Sequence, residues 1–194
     1  MASAQEARLV QRLKDKDPAA MDELVDAYSG KIFNLSIGLL KKEEDAEDVV
    51  QDTLLQVFEK INTFREEAAL SSWMYRIALN FSYMKLRKIK RDDYTPLEEY
   101  LPKFRSDGMH SMPVQNWAEK GETTLLRKEL GEILKDSINS LSEKYRIVLQ
   151  LRDIDGFSTE EVANITGMTV PAVKSRLHRA RLFLREKIST YYRD

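Results

Sequence analysis

The chain has 194 residues, 42% hydrophobic and 32% charged, so we expect one or two small domains with their own cores. It contains no cysteine and only two histidines, which excludes disulfides and thiolate zinc sites and leaves little for catalysis. The net charge of −1 hides a segregation, because acidic residues concentrate at 43–52 and basic residues at 85–91 and 174–187. Such a distribution is typical of a protein that binds nucleic acid on one surface and a basic partner on another.

The N-terminal sequence is polar and lacks the apolar core of a signal peptide. No stretch of the sequence is long and apolar enough to span a membrane. We therefore expect no direct insertion into a membrane. The absence of cysteine fits the reducing cytoplasm.

Amphipathic helices follow one another in the N-terminal part of the chain. The first is predicted at 6–14, and the second begins at Pro18 with Asp17 as its N-cap. The stretch 32–40 is apolar on most sides, which predicts a segment central to a core. The clearest amphipathic pattern is 43–62, where apolar residues recur at helical spacing: Ala46, Val49, Val50, Leu54, Val57, Phe58 and Ile61. Its outer face is almost wholly acidic, so it is either a solvated face or a surface for a basic partner.

A loop is predicted at 62–72, and Ser71 or Ser72 is the expected N-cap of the helix that follows. In that helix we expect an inward face made of Met74, Ile77, Ala78, Phe81, Met84 and Leu86. The remaining surface mixes aromatic, amide and cationic side chains: Trp73, Tyr75, Arg76, Asn80, Tyr83, Lys85, Lys88 and Arg91. Aromatic rings among cations suit single-stranded nucleic acid, because rings stack on bases while cations follow the backbone. The alternative is that Trp73, Tyr75 and Phe81 belong to the core; we prefer it for Phe81, and for Trp73 packing and function explain the position equally well.

The stretch 92–123 is rich in proline and glycine and predicts a linker, with a short helix near 97–101. Helical periodicity resumes at 124–139 and 142–153, and no strand pattern occurs. We therefore predict an all-α fold of two small helical domains joined by a flexible linker. The predicted divisions are residues 1–91, the linker 92–123, and residues 124–194.

The stretch 157–181 predicts a helix-turn-helix. Ser158 and Glu161 form a capping-box pattern, Gly167 suits the turn, and Thr169 is the second N-cap. The second helix has an apolar stripe of Val170, Val173 and Leu177, and its other face carries Lys174, Ser175, Arg176, His178, Arg179 and Arg181. A helical hairpin with a solvated basic face is the alternative. The coincidence of caps, turn glycine and one-sided cations favours binding to duplex DNA.

Three segments, in this order, resemble the extracytoplasmic-function (ECF, group IV) subfamily of the sigma-70 family of RNA polymerase sigma factors. They are EDAEDVVQDTLLQVFEKINTF, SSWMYRIALNFSYMKLRKIKR and LSEKYRIVLQLRDIDGFSTEEVANITGMTVPAVKSRLHRARLFLREKI. Together they cover most of the chain, and their combination is more specific than a helix-turn-helix alone. The length leaves no room for the extra N-terminal region and middle domain of housekeeping sigma factors, which favours the ECF group.

The resemblance implies a role for each surface. Contacts to core RNA polymerase, at the clamp helices of its large subunit, are expected from Asp45, Asp48, Gln51 and Asp52. Recognition and melting of the −10 promoter element are expected from Phe64, Arg65, Ser71, Trp73, Arg76, Asn80, Lys88 and Arg91. Asn80 is expected to help form a pocket for a flipped-out base. Recognition of the −35 element, beside the polymerase flap, is expected from Ser158, Thr159, Lys174, Ser175, Arg176, His178 and Arg179.

The resemblance also implies a cognate anti-sigma factor that holds the two domains in an occluded arrangement. The chain is expected in the cytoplasm, and a membrane-bound anti-sigma factor would be its link to the inner membrane. No catalysis, cofactor or metal is expected. Because net charge is near zero, we expect weak, salt-sensitive promoter binding without core polymerase.

Three other functions compete with this interpretation. A stand-alone regulator with a dimerisation or sensing domain explains the helix-turn-helix but not the acidic helix followed by an aromatic and basic one. An enzyme is disfavoured because the two histidines, His110 and His178, lie in the linker and among the DNA-facing cations. A carboxylate metal site at 44–52 lacks the Glu-x-x-His partners usual in helical bundles. A helical adaptor without a DNA role would tolerate charge reversal of Arg176 and Arg179.

Overall fold

The computed structural model describes the backbone of residues 4–92 and 124–191 and the side chains of 5–89 and 131–189. Within these ranges the chain is helical and has no strand, which confirms the predicted all-α class. The described helices are α1 (Ala4–Lys14), α2 (Pro18–Leu40), α3 (Glu43–Lys60), α4 (Leu70–Asp92), α5 (Thr124–Ser140), α6 (Glu143–Leu149), α7 (Thr159–Thr166) and α8 (Val170–Tyr191). The predicted linker beyond Asp92, with its short helix and His110, lies outside the described residues.

The first four helices form one group, in which α2 packs along both α3 and α4. Asp17 caps α2 as predicted, because its carboxylate accepts a hydrogen bond from the Ala19 amide at 3.0 Å. The apolar stretch 32–40 is the second half of this same helix, and Ile32, Leu35 and Leu39 are buried in the core. The acidic pattern at 43–62 is α3 followed by a short 3₁₀ turn at Ile61–Thr63.

Two small polar residues set the contact between α2 and α4. Ser36 and Ser82 are fully buried, and their hydroxyl oxygens lie 3.3 Å apart. The Ser82 hydroxyl also donates to the Ala78 carbonyl at 2.8 Å, so its burial is compensated within the helix. The buried stripe of α4 therefore passes through Ser82. The prediction that Met84 faces inward was wrong, because its side chain is 59% exposed.

The predicted start of α4 was also wrong. The helix begins at Leu70, so Ser71 and Ser72 lie inside its first turn. The Leu70 amide donates to the carboxylate of Glu6, which reaches it from α1. A side chain distant in sequence thus satisfies an amide at the helix start, where the sequence suggested a local hydroxyl.

The second group comprises α5 to α8, with α8 packed on α5, α6 and α7. The helix predicted at 142–153 is α6 extended by a wider π-helical turn, Gln150–Ile154. Gly156 follows with a φ of 79°, a conformation that suits glycine, and turns the chain toward α7. Arg146 is buried and donates to the carbonyls of Asn139 and Leu141, which closes the end of α5.

The two groups are in direct contact. Helix α4 packs against α7, and α2 packs against α6. Tyr75 of α4 meets Phe157, just before α7, edge to face with ring centroids 4.7 Å apart. Of the two interpretations of Tyr75, surface or core, the core one is therefore correct, since its side chain is 1% exposed. Its partner is more than eighty positions along the chain, and helical periodicity does not contain that information.

Candidate functional site

The helix-turn-helix near the C-terminus is present as α7, a tight turn and α8. The Ser158 hydroxyl accepts from the Glu161 amide at 3.2 Å, and the Ser158 amide donates to the Glu161 carboxylate at 2.8 Å. Gly167 ends α7 with a φ of 69°. The Thr169 hydroxyl accepts from the Ala172 amide at 3.4 Å at the start of α8. The predicted capping chemistry thus defines both ends of the turn.

The two sides of α8 are chemically separate. Val173, Leu177 and Ala180 are buried in the core shared with α6 and α7. Four of the residues predicted to read the −35 element are exposed on α8: Lys174, Ser175, His178 and Arg179. A helix held from behind, with donors in front, is the arrangement that recognition of a major groove requires.

Of the other three residues predicted to read the −35 element, two are half-buried. Arg176 is half-buried and lies close enough to α4 for its charge to act on Tyr83. Burial raises the pKa of the Tyr83 phenol, the charge of Glu143 raises it further, and that of Arg176 lowers it. At the start of α7, Ser158 is exposed and Thr159 is half-buried.

Arg181, which the sequence placed on the basic face of α8, forms a bidentate pair with Asp153 at 2.6 and 2.9 Å. These hydrogen bonds raise the pKa of the Arg181 guanidinium. The pair ties α8 to the turn that follows α6. Arg181 is therefore paired within the chain although its side chain is 55% exposed. Lys174, seven positions earlier on α8, is also exposed.

A second surface surrounds the loop before α4. Phe64 is buried, and its ring centroid lies 5.0 Å from that of the half-buried Trp73, with the planes tilted by 31°. Around them is an open cleft of about 240 Å³. Four residues predicted to contact the −10 element line it: Phe64, Arg65, Trp73 and Arg76. Its walls also include five residues that were not predicted to contact DNA: Thr63, Glu67, Ala68, Ser72 and Asn164.

The other residues predicted to contact the −10 element do not line this cleft. Ser71 is half-buried at the start of α4, and Asn80 and Lys88 are exposed farther along it. Arg91 lies near the end of α4, beyond the side chains that the structure describes. The structure therefore does not place Asn80 at the cleft, and its predicted part in a base pocket stays a prediction.

The loop before α4 carries two acids, and they differ in environment. Glu66 pairs with Lys14 of α1 at 2.7 Å, which compensates its charge and anchors the loop to the first helix. Glu67 lines the cleft beside Arg65 and Arg76. The negative charge that the sequence placed in the loop is thus partly neutralised by a cation from another helix.

The acidic face of α3 is exposed at Asp48, Gln51 and Asp52, and Asp45 is half-buried. Lys85 of α4 reaches this face and lies 2.7 Å from Asp48 and 3.5 Å from Asp45. The hydrogen bond to Asp48 and the two negative charges raise the pKa of the Lys85 ammonium. Two of the four residues predicted to bind the polymerase are therefore paired within the chain.

An apolar patch continues this acidic face. Leu55 is 57% exposed, and Phe58, which was predicted to face inward, is 40% exposed. The ammonium of Lys16 lies 3.9 Å from the Phe58 ring centroid and partly covers it. Leu55 was not among the predicted contact residues of α3, although its spacing of seven from Asp48 places both on one side of the helix.

The described residues form no cluster of side chains suited to binding a metal ion. Within 4–92 and 124–191, no three Asp, Glu or His side chains are grouped so that they could hold a metal ion. The same part of the chain includes no helix that is both long and apolar enough to cross a membrane. Fold and surfaces together define a helical protein of the helix-turn-helix class with an additional acidic face and an aromatic cleft.

Comparisons with known proteins match both helical groups. The model of Sigma-70 region 2 matches residues 24–92, and that of Sigma-70, region 4 matches residues 131–184. The ECF RNA polymerase sigma factor SigW of Bacillus subtilis is 31% identical over 179 residues, which cover 92% of this chain and 94% of that protein. The ECF RNA polymerase sigma-E factor of Haemophilus influenzae is 32% identical over 183 residues, covering 93% of each.

A solved structure agrees with these relatives. The sigma factor RpoE from Bartonella quintana, in complex with the anti-sigma factor NepR, has a TM-score of 0.62 and 29% identity to this chain. The match covers 87% of this chain and 96% of that one. The chain therefore belongs to the sigma-70 family of RNA polymerase sigma factors, within its ECF group.

Proposed function

We propose that this chain directs core RNA polymerase to specific promoters and helps to melt the DNA there, under the control of an anti-sigma factor. Its role is to recognise and position, without catalysis, in the cytoplasm where polymerase acts. Residues 1–91 and 124–194 are the proposed functional units, joined by 92–123. One observation supports the proposal most directly. This chain of the sigma-70 family presents an acidic face on α3, an aromatic cleft with cations before α4, and exposed cations on α8.

The two DNA surfaces suit two forms of DNA. Exposed donors on a straight, supported helix fit the major groove of duplex DNA, so α8 is proposed to read the −35 element. A ring pair beside Arg65 and Arg76 can hold unstacked bases while the cations approach phosphates, so the cleft is proposed to act at the −10 element. The polymerase holds both surfaces at a fixed spacing, which raises their effective concentration on one promoter.

The acidic face of α3 is the proposed contact with the clamp helices of core polymerase. Asp48, Gln51 and Asp52 supply charge and hydrogen bonds, and Leu55 supplies an apolar anchor within reach of them. An apolar side chain within a ring of charges matches the general layout of an interface, whose buried core is more apolar than its polar rim. Lys85 keeps Asp45 and Asp48 oriented before the partner arrives.

Run-off transcription with core RNA polymerase on fragmented DNA of the source organism tests the proposal. We expect transcripts that depend on the chain and begin at discrete positions, because polymerase alone does not select promoters. Aligning those positions would give both promoter elements. If core polymerase neither binds the chain nor gains any start site, the proposal fails, and the helix-turn-helix belongs to a free-standing regulator.

Matched variants assign the contributions of the surfaces in the same assay. Charge reversal by Asp52→Lys on α3 should remove binding to core polymerase, whereas Asp22→Lys on α2, an exposed acid of the same charge, should not. Lys174→Ala should weaken promoter use, and Lys187→Ala on the opposite side of α8 serves as its control. Equal effects within either pair would contradict the assignment of these surfaces.

A further inference from the structure

Two charged side chains of α1 reach the loop at 64–69, which borders the aromatic cleft. The ammonium of Lys14 lies 2.7 Å from the Glu66 carboxylate in the middle of this loop. The carboxylate of Glu6 accepts a hydrogen bond from the Leu70 amide, where the loop ends and α4 begins. Helix α1 therefore contacts the loop at two separate points.

Helix α1 is itself held by the first helical group. Its residues Val10 and Leu13 are buried in the core, and the helix packs on α2 and on the 3₁₀ turn at Ile61–Thr63. Just after the helix, the ammonium of Lys16 donates to the Phe58 carbonyl near the end of α3. The charged side chains of α1 thus offer the loop a support that is fixed by packing.

The loop has an uncommon backbone conformation at the residue that Lys14 contacts. Glu66 has a φ of 59°, in the left-handed region that residues other than glycine rarely adopt. Such a conformation persists where surrounding contacts hold it, and it is frequent in segments that clamp a ligand. Its two neighbours, Arg65 and Glu67, both line the cleft, whereas the Glu66 carboxylate is turned to Lys14. The contact with α1 therefore falls between two side chains that face the cleft.

We propose that Lys14 and Glu66 are positioning residues for the −10 element: their pair holds the loop in the shape that presents Arg65 and Glu67 to melted DNA. Glu6 supports the same loop where α4 begins. Glu66 then assists DNA binding although its own charge repels phosphate. This inference rests on the proposed function, because the loop borders the cleft assigned to the −10 element.

The negative charge of Glu66 makes the positioning role testable. If Glu66 acted on DNA only through its charge, Glu66→Gln would remove a repulsion, and promoters would open at the same rate or faster. If Glu66 positions the loop, the same change breaks the pair with Lys14, and opening becomes slower. Because both side chains are partly exposed, the pair contributes modestly, and we expect opening to be about threefold slower.

Permanganate reactivity of promoter thymines, followed over time with core RNA polymerase, measures the rate of opening. The matched control is Glu23→Gln, because Glu23 pairs with Arg12 of the same helix, also at 2.7 Å and with similar exposure. We expect the control to open promoters at the unchanged rate. Glu66→Gln should be slower on a closed promoter and normal on one with a pre-opened −10 region. A rate for Glu66→Gln that equals or exceeds that of the unchanged chain would overturn the proposal.

Charge reversal tests the pair itself. Lys14→Glu should slow opening, because two carboxylates then face each other, and adding Glu66→Lys should restore the rate, because the pair forms again with its charges exchanged. A double variant as slow as Lys14→Glu alone would overturn the role of the pair. Lower thermal stability of Lys14→Glu, with equal slowing on closed and pre-opened promoters, would replace positioning by a merely structural role.

A measurement on the free chain separates this inference from the proposed function. Trp73 packs on Phe64 at the start of the loop, and Trp117→Phe leaves Trp73 as the only tryptophan. In that background, Glu66→Gln should increase the quenching of Trp73 fluorescence by acrylamide, whereas Glu23→Gln should not. Equal quenching in the two variants would overturn the positioning of the loop. The expected difference, in a chain that gives core polymerase no start site, would support the positioning and refute the proposed function.

Discussion

The two proposed DNA surfaces of this chain are built in different ways. On α8, packing and recognition use opposite sides of one helix: Val173 and Leu177 are buried, while Lys174 and His178 are exposed. At the cleft before α4, the same rings serve both purposes, because Trp73 packs on Phe64 and is also the ring available to bases. Changes to α8 should therefore separate stability from DNA binding, and changes to the cleft should not.

This difference has a functional counterpart. Duplex DNA presents its pattern in the groove, so a rigid helix needs no rearrangement to read it. Melted DNA must be captured as it forms, and the cleft proposed to capture it is open and lined mainly by residues of the first helical group, with Asn164 of α7 on one wall. The surface whose DNA must change form is thus the one whose packing and binding residues coincide.

The largest effect is expected from the buried side of α8. Leu177→Ala should lower the free energy of unfolding by about 2–4 kcal/mol, because it leaves a cavity under the helix. Lys174→Ala should change stability by less than about 0.5 kcal/mol while weakening promoter use. Thermal or urea unfolding measures the first quantity and transcription the second. Comparable losses of stability in the two variants would contradict the claim that packing and recognition use opposite sides of α8.

At the cleft we expect stability and promoter opening to change together. Trp73→Ala should cost about 1–3 kcal/mol of stability, since a half-buried ring loses its contact with Phe64, and should also impair opening of the promoter. Trp73→Phe keeps an aromatic ring, so it should retain most of the stability and most of the promoter opening. Unfolding measurements and permanganate reactivity of promoter thymines report the two effects. An alanine variant that melts DNA normally would show that Trp73 is only a packing residue.

A smaller effect is expected at the start of α7. Ser158→Ala removes the hydroxyl that accepts from the Glu161 amide and should cost about 1 kcal/mol. Ser158→Asp should retain stability, because a carboxylate also caps, but it should weaken promoter binding if the hydroxyl approaches phosphate. Unfolding and promoter titrations with core polymerase distinguish these results. Unchanged promoter binding by the aspartate variant would remove Ser158 from the DNA surface.

The smallest effect is a dependence on pH of the packing between the two helical groups, which we call closure. Burial raises the pKa of the Asp155 carboxyl to about 6, and the hydrogen bond from Gln150 and the charge of Lys31 lower it in part. Lys31 of α2 and Tyr75 of α4 are the titratable groups whose charges interact with it. Burial raises the pKa of the Tyr75 phenol, and the charge of Asp155 raises it further.

Because the pKa of Asp155 is raised on closure from its ordinary value of 3.8, closure is fully favoured below 3.8 and weakens as pH rises through about 6. The closing equilibrium constant should be roughly fourfold larger at pH 5.5 than at pH 7.5. The ammonium of Lys41 donates to the side-chain carbonyl of Asn139 across the two groups, so energy transfer between dyes on cysteines introduced at these positions measures the closed fraction. The Asp155→Asn variant should lose this dependence, and a dependence that persists would assign it to another group.

Local chemistry made much of the fold predictable. The capping box at Ser158, the turn at Gly167 and the Asp17 cap depend on neighbours within a few residues, and the sequence displays them directly. The exposed cations of α8 were predictable for the same reason, since helical spacing separates them from the buried stripe. The acidic face of α3 followed from its periodicity alone.

Long-range contacts limited the rest. The start of α4 depends on Glu6, the burial of Tyr75 depends on Phe157, and the inward stripe of α4 contains the polar Ser82. Asn164 joined the cleft only when the two helical groups were placed together. Each of these needs the position of a helix elsewhere in the chain, which periodicity within one helix does not provide.

The most direct test of the central claim uses a promoter with a pre-opened −10 region. Run-off transcription with core polymerase should compare Trp73→Ala, Lys174→Ala and the unchanged chain on closed and pre-opened templates. If the cleft melts DNA and α8 reads the duplex, opening the template should largely restore the Trp73 variant and leave the Lys174 variant impaired. Restoration of the Lys174 variant alone, or an equal response of both, would contradict the division of labour between the two surfaces.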